Sequence, residues 1–278
     1  MSELLELIKS RKSVRTFDGK PIALEDKERL ARYAETIVNP FGIPVRVVLL
    51  DAKEHGLSSP VLSVETMYAA GKVRKVPNAD VAFGYSFEKF VLYAWSLGIG
   101  TTWIGGTMKR ELFERAAGLA EGEMMPCVSP LGYPAKKRSV RETMMRKGVR
   151  ADTRLDMDKL FFDSVWGTPL SCSEGDGIYE PLEMVRWAPS AVNRQPWRII
   201  LKDGSFHFYE KRDKGYLSEK TGDLQKVDLG IALCHFVTGL EAQGKSAAVE
   251  IQNPGISVPE GVEYIATVTE KQAEPERT

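Results

Sequence analysis

Pro196-Trp-Arg-Ile-Ile-Leu-Lys-Asp203 repeats, 152 residues later, the pattern of Pro44-Val-Arg-Val-Val-Leu-Leu-Asp51. Each stretch is a proline, an apolar and largely β-branched run, and a terminal aspartate, which reads as a strand entered from a loop and left by a turn. Outward from this pair, more matches appear in the same order. Arg32-Tyr33-Ala34 parallels Arg186-Trp187-Ala188 at the end of an amphipathic stretch. Gly84 to Val91 parallels Gly230 to Val237, and each of these glycines is followed by another fourteen residues on, Gly98 and Gly244. Apolar residues recur at three and four between them (Phe87, Val91, Ala94 and Trp95; Leu233, Val237 and Leu240), the pattern of a helix that ends on glycine. Upstream, Arg11-Lys-Ser-Val-Arg15 resembles Arg146-Lys-Gly-Val-Arg150. The offsets, 135, 154, 152 and 146 residues, differ by amounts that insertions and deletions explain. Four matches in one order point to two related units in a single chain.

Each unit reads as helix, helix, strand, helix, strand, with final strands at Met125 to Leu131 and Val262 to Thr269. The first spans residues 1–150 and the second 151–278. The boundary falls near 145–165, where the charged run Arg138 to Arg154 reads as a solvated connecting helix. The polar stretch from Glu270 to Thr278 reads as a frayed tail. The expected fold class is α+β, two three-layer α-β-α halves packed about a pseudo-twofold axis like the subunits of a symmetric dimer.

Composition narrows the function. The 278 residues are 43% hydrophobic and 27% charged, with 38 Lys and Arg against 38 Asp and Glu. That balance gives no overall basic field for nucleic acid or an acidic membrane, so any anion site must be a local cluster. Three scattered cysteines, Cys127, Cys172 and Cys234, suggest neither a disulfide framework nor metal ligands and fit a reducing cytoplasm. The scattered His55, His207 and His235 give no triad or metal site. Residues 90 to 108 carry no charge, yet their four glycines and three threonines fit a buried helix running into a glycine-rich turn rather than a membrane span. The N-terminus has no apolar core of a secretory signal.

Three segments carry chemistry. Arg11, Lys12, Ser13 and Arg15 offer guanidinium, ammonium and hydroxyl donors that suit a phosphate, although a solvated basic turn has the same look. Ala188-Pro-Ser-Ala-Val-Asn-Arg-Gln195-Pro-Trp197 stops a helix at Pro189, then offers small residues that admit a flat ring and Ser190, Asn193 and Gln195 to orient it. A plain helix-to-strand connection fits that loop equally well. Gly105 and Gly106 let backbone N–H groups reach a ligand, and Lys137 and Arg138 could close on the same phosphate. No G-x-G-x-x-G opens a helix after a strand, so a dinucleotide-binding domain of that kind is not expected.

Together, RKSVRTF (11–17), LGIGTTWIGG (97–106), SPLGYPAKK (129–137), APSAVNRQPWRI (188–199) and VDLGIALCHF (227–236) resemble the nitroreductase superfamily of FMN enzymes, in the form where two nitroreductase-like halves share a polypeptide. The AP-S-x-x-N-x-QPW pattern is the most specific of these. The resemblance implies FMN bound between the halves: Arg11, Lys12, Ser13, Arg15, Lys137 and Arg138 at the phosphate and ribityl end, Ile104, Gly105 and Gly106 beside flavin N5, and Pro189, Ser190, Ala191, Asn193 and Gln195 along the isoalloxazine. It implies an NAD(P)H-dependent oxidoreductase that passes hydride to flavin N5 and on to a small acceptor such as a nitroaromatic or quinone, with no catalytic side chain and no metal. A flavin oxidase, desaturase or dehalogenase, or a non-enzymatic flavin-binding protein, would use the same scaffold. The first half has no serine–asparagine loop and the second has RKGVR without the hydroxyl, so one FMN per chain, a cytoplasmic monomer and neither nucleic-acid nor membrane partners are expected.

Overall fold

The structure, a computed structural model, describes residues 2–271. Helices α1 (Glu3–Ser10) and α2 (Leu24–Thr36) lead into strands β1 (Val45–Asp51) and β2 (Met67–Arg74), then α3 (Ala79–Ser96), α4 (Arg110–Ala116), β3 (Glu123–Met124) and β4 (Val128–Leu131). A connector holding α5 (Val140–Gly148) and α6 (Met157–Leu160) runs to β5 (Phe161–Asp163). Next come α7 (Tyr179–Trp187), β6 (Trp197–Lys202), β7 (Ser205–Lys211), the short hairpin β8 (Leu217–Ser218) and β9 (Gly222–Asp223), α8 (Leu224–Ala242), β10 (Ser246–Glu250) and β11 (Val262–Lys271).

The two quoted repeats are β1 and β6, and both open the same antiparallel arrangement. β1 pairs with β2 and β2 with β4; β6 pairs with β7 and β7 with β11. The second sheet gains β10 on one edge and, on the other, β5, which runs parallel to β6. β2 and β7 are absent from the five-element expectation. Met67-Tyr-Ala-Ala-Gly71 is buried without alternation, so no period of two marks it. β7 could have been found from Asp203-Gly204, both at positive φ, in a two-residue hairpin turn.

α3 and α8 are buried on nearly every side and lie against each other between the two sheets. Their approach is reciprocal. A Cβ on Gly84 would stand 2.0 Å from the carbonyl oxygen of Val227, and one on Gly230 would stand 2.1 Å from that of Val81. Both pairs, 81 with 227 and 84 with 230, are 146 residues apart. Each helix ends alike, with Gly98 and Gly244 at φ +76° and +74° closing the last turn.

Layering is unequal. On the first sheet Met67, Ala69 and Val73 face α3, while Tyr68 and Ala70 face a second cluster with Phe113 of α4. On the second, Trp197, Ile199, Phe206 and Phe208 join the core of α8, but the outer residues Ile200 and Tyr209 are covered by Trp166, Ile256 and Val258 from irregular chain. Among the described residues, helices therefore cover both faces of the first sheet but only one face of the second.

Three further expectations are corrected. The connecting helix is not wholly solvated, because Glu142 and Arg146 on α5 are buried. The strand expected from Met125 begins at Val128, since the carbonyls of Met125 and Pro126 accept hydrogen bonds from the Arg110 guanidinium instead of a neighbouring strand. Glu270 and Lys271 belong to β11 rather than a tail, and residues 272–278 lie outside the described residues. Among the described residues no helix is long and apolar enough to cross a membrane.

Candidate functional site

A cleft of about 460 Å³ opens between the start of the chain, the 102–106 turn, the connector, and the 187–193 loop with the first turns of α8. Eleven of the fourteen expected site residues line it: Arg11, Lys12, Ser13, Arg15, Gly105, Gly106, Arg138, Pro189, Ser190, Ala191 and Asn193. Ile104, Lys137 and Gln195 do not. Ile104 is buried in a bridge with Val128, and Gln195 is buried with its amide oxygen accepting from the Leu155 N–H at 2.9 Å.

Local chemistry explains how the N-terminal wall is held. Arg11 caps α1, and the chain then runs extended beside the glycine turn, where the Val14 N–H donates to the Thr101 carbonyl at 2.8 Å. The Thr16 hydroxyl donates to Glu142 at 2.8 Å, which ties the same segment to α5. Ser139 caps α5 by accepting from the Glu142 N–H at 3.1 Å, half of a capping box. Gly106 has open space where a Cβ would stand, and the Gly105 carbonyl is held by Arg110.

The opposite wall is a strained loop. Val192, Asn193 and Gln195 have φ of 43°, 60° and 52°, left-handed conformations uncommon for any side chain and costly for a β-branched one. The Ser190 hydroxyl accepts from the Gln195 N–H at 2.9 Å, and the Asn193 amide donates to the carbonyls of Arg150 and Thr153 at 2.8 and 3.1 Å. Asn193 and Gln195 thus pin the connector to the loop. At the base, both carboxylate oxygens of Asp228 accept from the Ala191 N–H at 3.0–3.1 Å, and burial holds this carboxyl well above its ordinary range.

The cleft is cationic at one end. Arg11 and Arg146 are each only 7% exposed. Nε and Nη1 of Arg11, Nε of Arg146 and Nε of Arg154 are buried with no hydrogen-bond partner among the described residues. Burial lowers the pKa of Arg11, with Glu88 opposing, and burial together with Arg11 lowers that of Arg154 to about 10. Buried donors of this kind are nearly always satisfied in folded proteins, and guanidinium groups find their best partners in phosphate or carboxylate oxygens. The donor set therefore fits a phosphate-bearing ligand, and the open side of Gly106 leaves room for a flat group beside it.

Arg146, Arg154, Trp187 and Asp228 also line the cleft, and the sequence reading did not place them there. By sequence Arg146-Lys-Gly-Val-Arg150 parallels Arg11-Lys-Ser-Val-Arg15. In the fold Arg11 and Arg146 stand on the same cleft. Asp228 lies within the quoted VDLGIALCHF segment, where a lone acid among apolar helix residues was a usable signal.

A family model described as "Putative TM nitroreductase" matches residues 3–240. A Thermotoga maritima protein described as a "putative nitroreductase" shares the fold with 20% identity, 96% of this chain and 93% of that one covered, and a TM-score of 0.62. A Clostridium difficile FMN-dependent nitroreductase aligns at 15% identity over 51% of this chain and 94% of that one, with a TM-score of 0.41. No curated protein sequence matches. With the family model matching all but the first two and the last 38 residues, the chain belongs to this nitroreductase family.

Proposed function

We propose that the chain is an FMN-dependent reductase that oxidises NAD(P)H and reduces a small acceptor such as a nitroaromatic or quinone, its one flavin held between two nitroreductase-like halves (1–150 and 151–278). The observation that carries this is the convergence of unpartnered buried arginine donors and an open glycine turn on one cleft with walls from both ends of the chain. The reciprocal glycine contacts of α3 and α8 support the two-half reading, since residue i meeting j and j meeting i is the mark of twofold packing. The placement of RKGVR beside RKSVR supports one site per chain.

FMN, when bound, supplies hydride acceptance and donation at N5. The chain supplies the rest. Arg11, Lys12, Ser13, Arg15 and Arg138 bind the phosphate end. Gly105 and Gly106 let backbone approach the ring, and Pro189, Ser190 and Ala191 edge it from the second half. Asp228 keeps Ala191 in place through the Ala191 N–H.

The test is an absorbance spectrum of the purified chain before and after anaerobic NADH or NADPH. The expected result is one flavin per chain, bleached by one of the two donors, with Arg15→Ala purifying nearly colourless. A chain without flavin, or two flavins per chain, overturns the reading. So does bound flavin that neither nicotinamide reduces.

A further inference from the structure

The cleft holds more positive charge than one phosphate needs. Lys9, Arg11, Lys12, Arg15, Arg138, Arg146 and Arg154 line it, against Asp152 and Asp228. Two of these cations also have a carboxylate nearby: Lys9 lies 3.7 Å from Glu183, and Arg138 lies 3.8 Å from Glu142. Arg146 and Arg154 come from neither predicted wall but from the connector.

That segment is held firmly against the cleft. Asn193 clamps the carbonyls of Arg150 and Thr153, and Gln195 clamps the N–H of Leu155. Arg154 bonds the carbonyls of Ala151 and Thr153 through Nη1 and lies over the Trp187 ring at 4.9 Å. Trp187 is in turn fixed by its indole N–H on Glu183 at 2.9 Å. Arg146 pairs with Asp152, whose side chain is 78% exposed. Thus a buried guanidinium, its Nε still unpartnered, is answered by a carboxylate standing largely in water at the lip of the cleft. An exposed carboxylate is a weak partner, whereas a dianion entering the cleft could engage Arg11, Arg146 and Arg154 together.

We propose that the connector is part of the anion site: Arg146 and Arg154 are phosphate ligands, and Asp152 is a built-in competitor that holds Arg146 until a phosphate displaces it. The proposal rests on the FMN reading, yet its test separates the two. Binding of FMN, riboflavin and inorganic phosphate to the full chain is measured by flavin fluorescence quenching and by calorimetry, for wild type, Arg146→Gln, Arg154→Gln and Asp152→Asn. Loss of one charge-assisted ligand should weaken FMN about ten- to hundredfold. Asp152→Asn should tighten FMN roughly two- to fivefold. Riboflavin, which lacks the phosphate, should keep its affinity in all three variants, a result that a merely structural role would not give.

The proposal is overturned if the arginine variants weaken FMN and riboflavin alike, if they leave FMN unchanged, or if Asp152→Asn weakens FMN. Should Arg146→Gln fail to fold, Arg154→Gln and Asp152→Asn still decide it. If neither flavin binds but inorganic phosphate does, tightened by Asp152→Asn, the FMN reading falls and the anion site stands. If FMN binds equally to all four proteins, the anion assignment falls and the FMN reading stands. If neither flavin nor phosphate binds, both fall.

Discussion

Glu210 on β7 is 0% exposed, and neither carboxylate oxygen accepts a hydrogen bond from the described residues. Arg212 places its Nε 3.5 Å from Glu210, but its Nη2 pairs with Asp223 and Glu263. Burial, with Asp223 adding to it, raises the Glu210 pKa from 4.5 to about 7. The folded protein therefore binds this proton more tightly than the unfolded chain does. Glu210 is harmless to stability below pH 4.5, and stability is lost as the pH rises through the folded value of about 7. At about 1.4 kcal/mol per pH unit across that interval, the loss totals ~3 kcal/mol. Glu210→Gln removes the charge and keeps the shape. In urea denaturation at a series of pH values, the variant minus wild-type stability should grow by ~3 kcal/mol between pH 4.5 and 8 and then level off. An amide left without a partner would add a constant offset but no slope. A difference that is flat with pH, or that shrinks as pH rises, would refute the placement of a buried, unsatisfied carboxylate at this position.

Two other perturbations test the packing directly. Gly84→Ala or Gly230→Ala puts a methyl about 2 Å from an opposing carbonyl oxygen, so either should cost ~3 kcal/mol or more and lower the thermal midpoint by about 10 °C; a loss under ~1 kcal/mol would mean that the helices do not meet there. Val192→Gly relieves a left-handed β-branched residue at φ 43° but loosens the unfolded chain, so thermal melts should show it neutral or up to ~1 kcal/mol more stable, and a loss beyond ~1 kcal/mol would contradict the strain.

What could be read in advance was what local physics writes locally. Gly98 and Gly244 end helices because only glycine takes a left-handed turn without cost, and that spacing is visible in the string. Pro189 and Pro196 bracket a loop for equally local reasons. The short basic run at 11–15 and the paired glycines at 105–106 reached one cleft as expected. The failures share a different cause. RKGVR looks like RKSVR over five residues, but which side of the molecule a segment meets is decided by the connector's path, and no local pattern encodes that path. Asn193 and Gln195 have the amides expected of ring-orienting residues, yet the Asn193 amide N–H groups and the Gln195 amide oxygen bond the connector, tens of residues away in sequence. β5 was missed for a similar reason, since three residues become a strand only because β6 offers a free edge.

Both walls of the cleft and the segment that joins them belong to one chain. Assembly of the cleft is therefore a first-order event, with an effective concentration set by the connector rather than by how much protein is present. Dilution that would dismantle a site shared between separate subunits leaves this one whole. Inheritance changes as well. In a symmetric pair every substitution is made twice and must suit both ends of the axis. Here each substitution is made once in the chain that builds both walls, and Arg146 and Asp152 each stand once on the cleft.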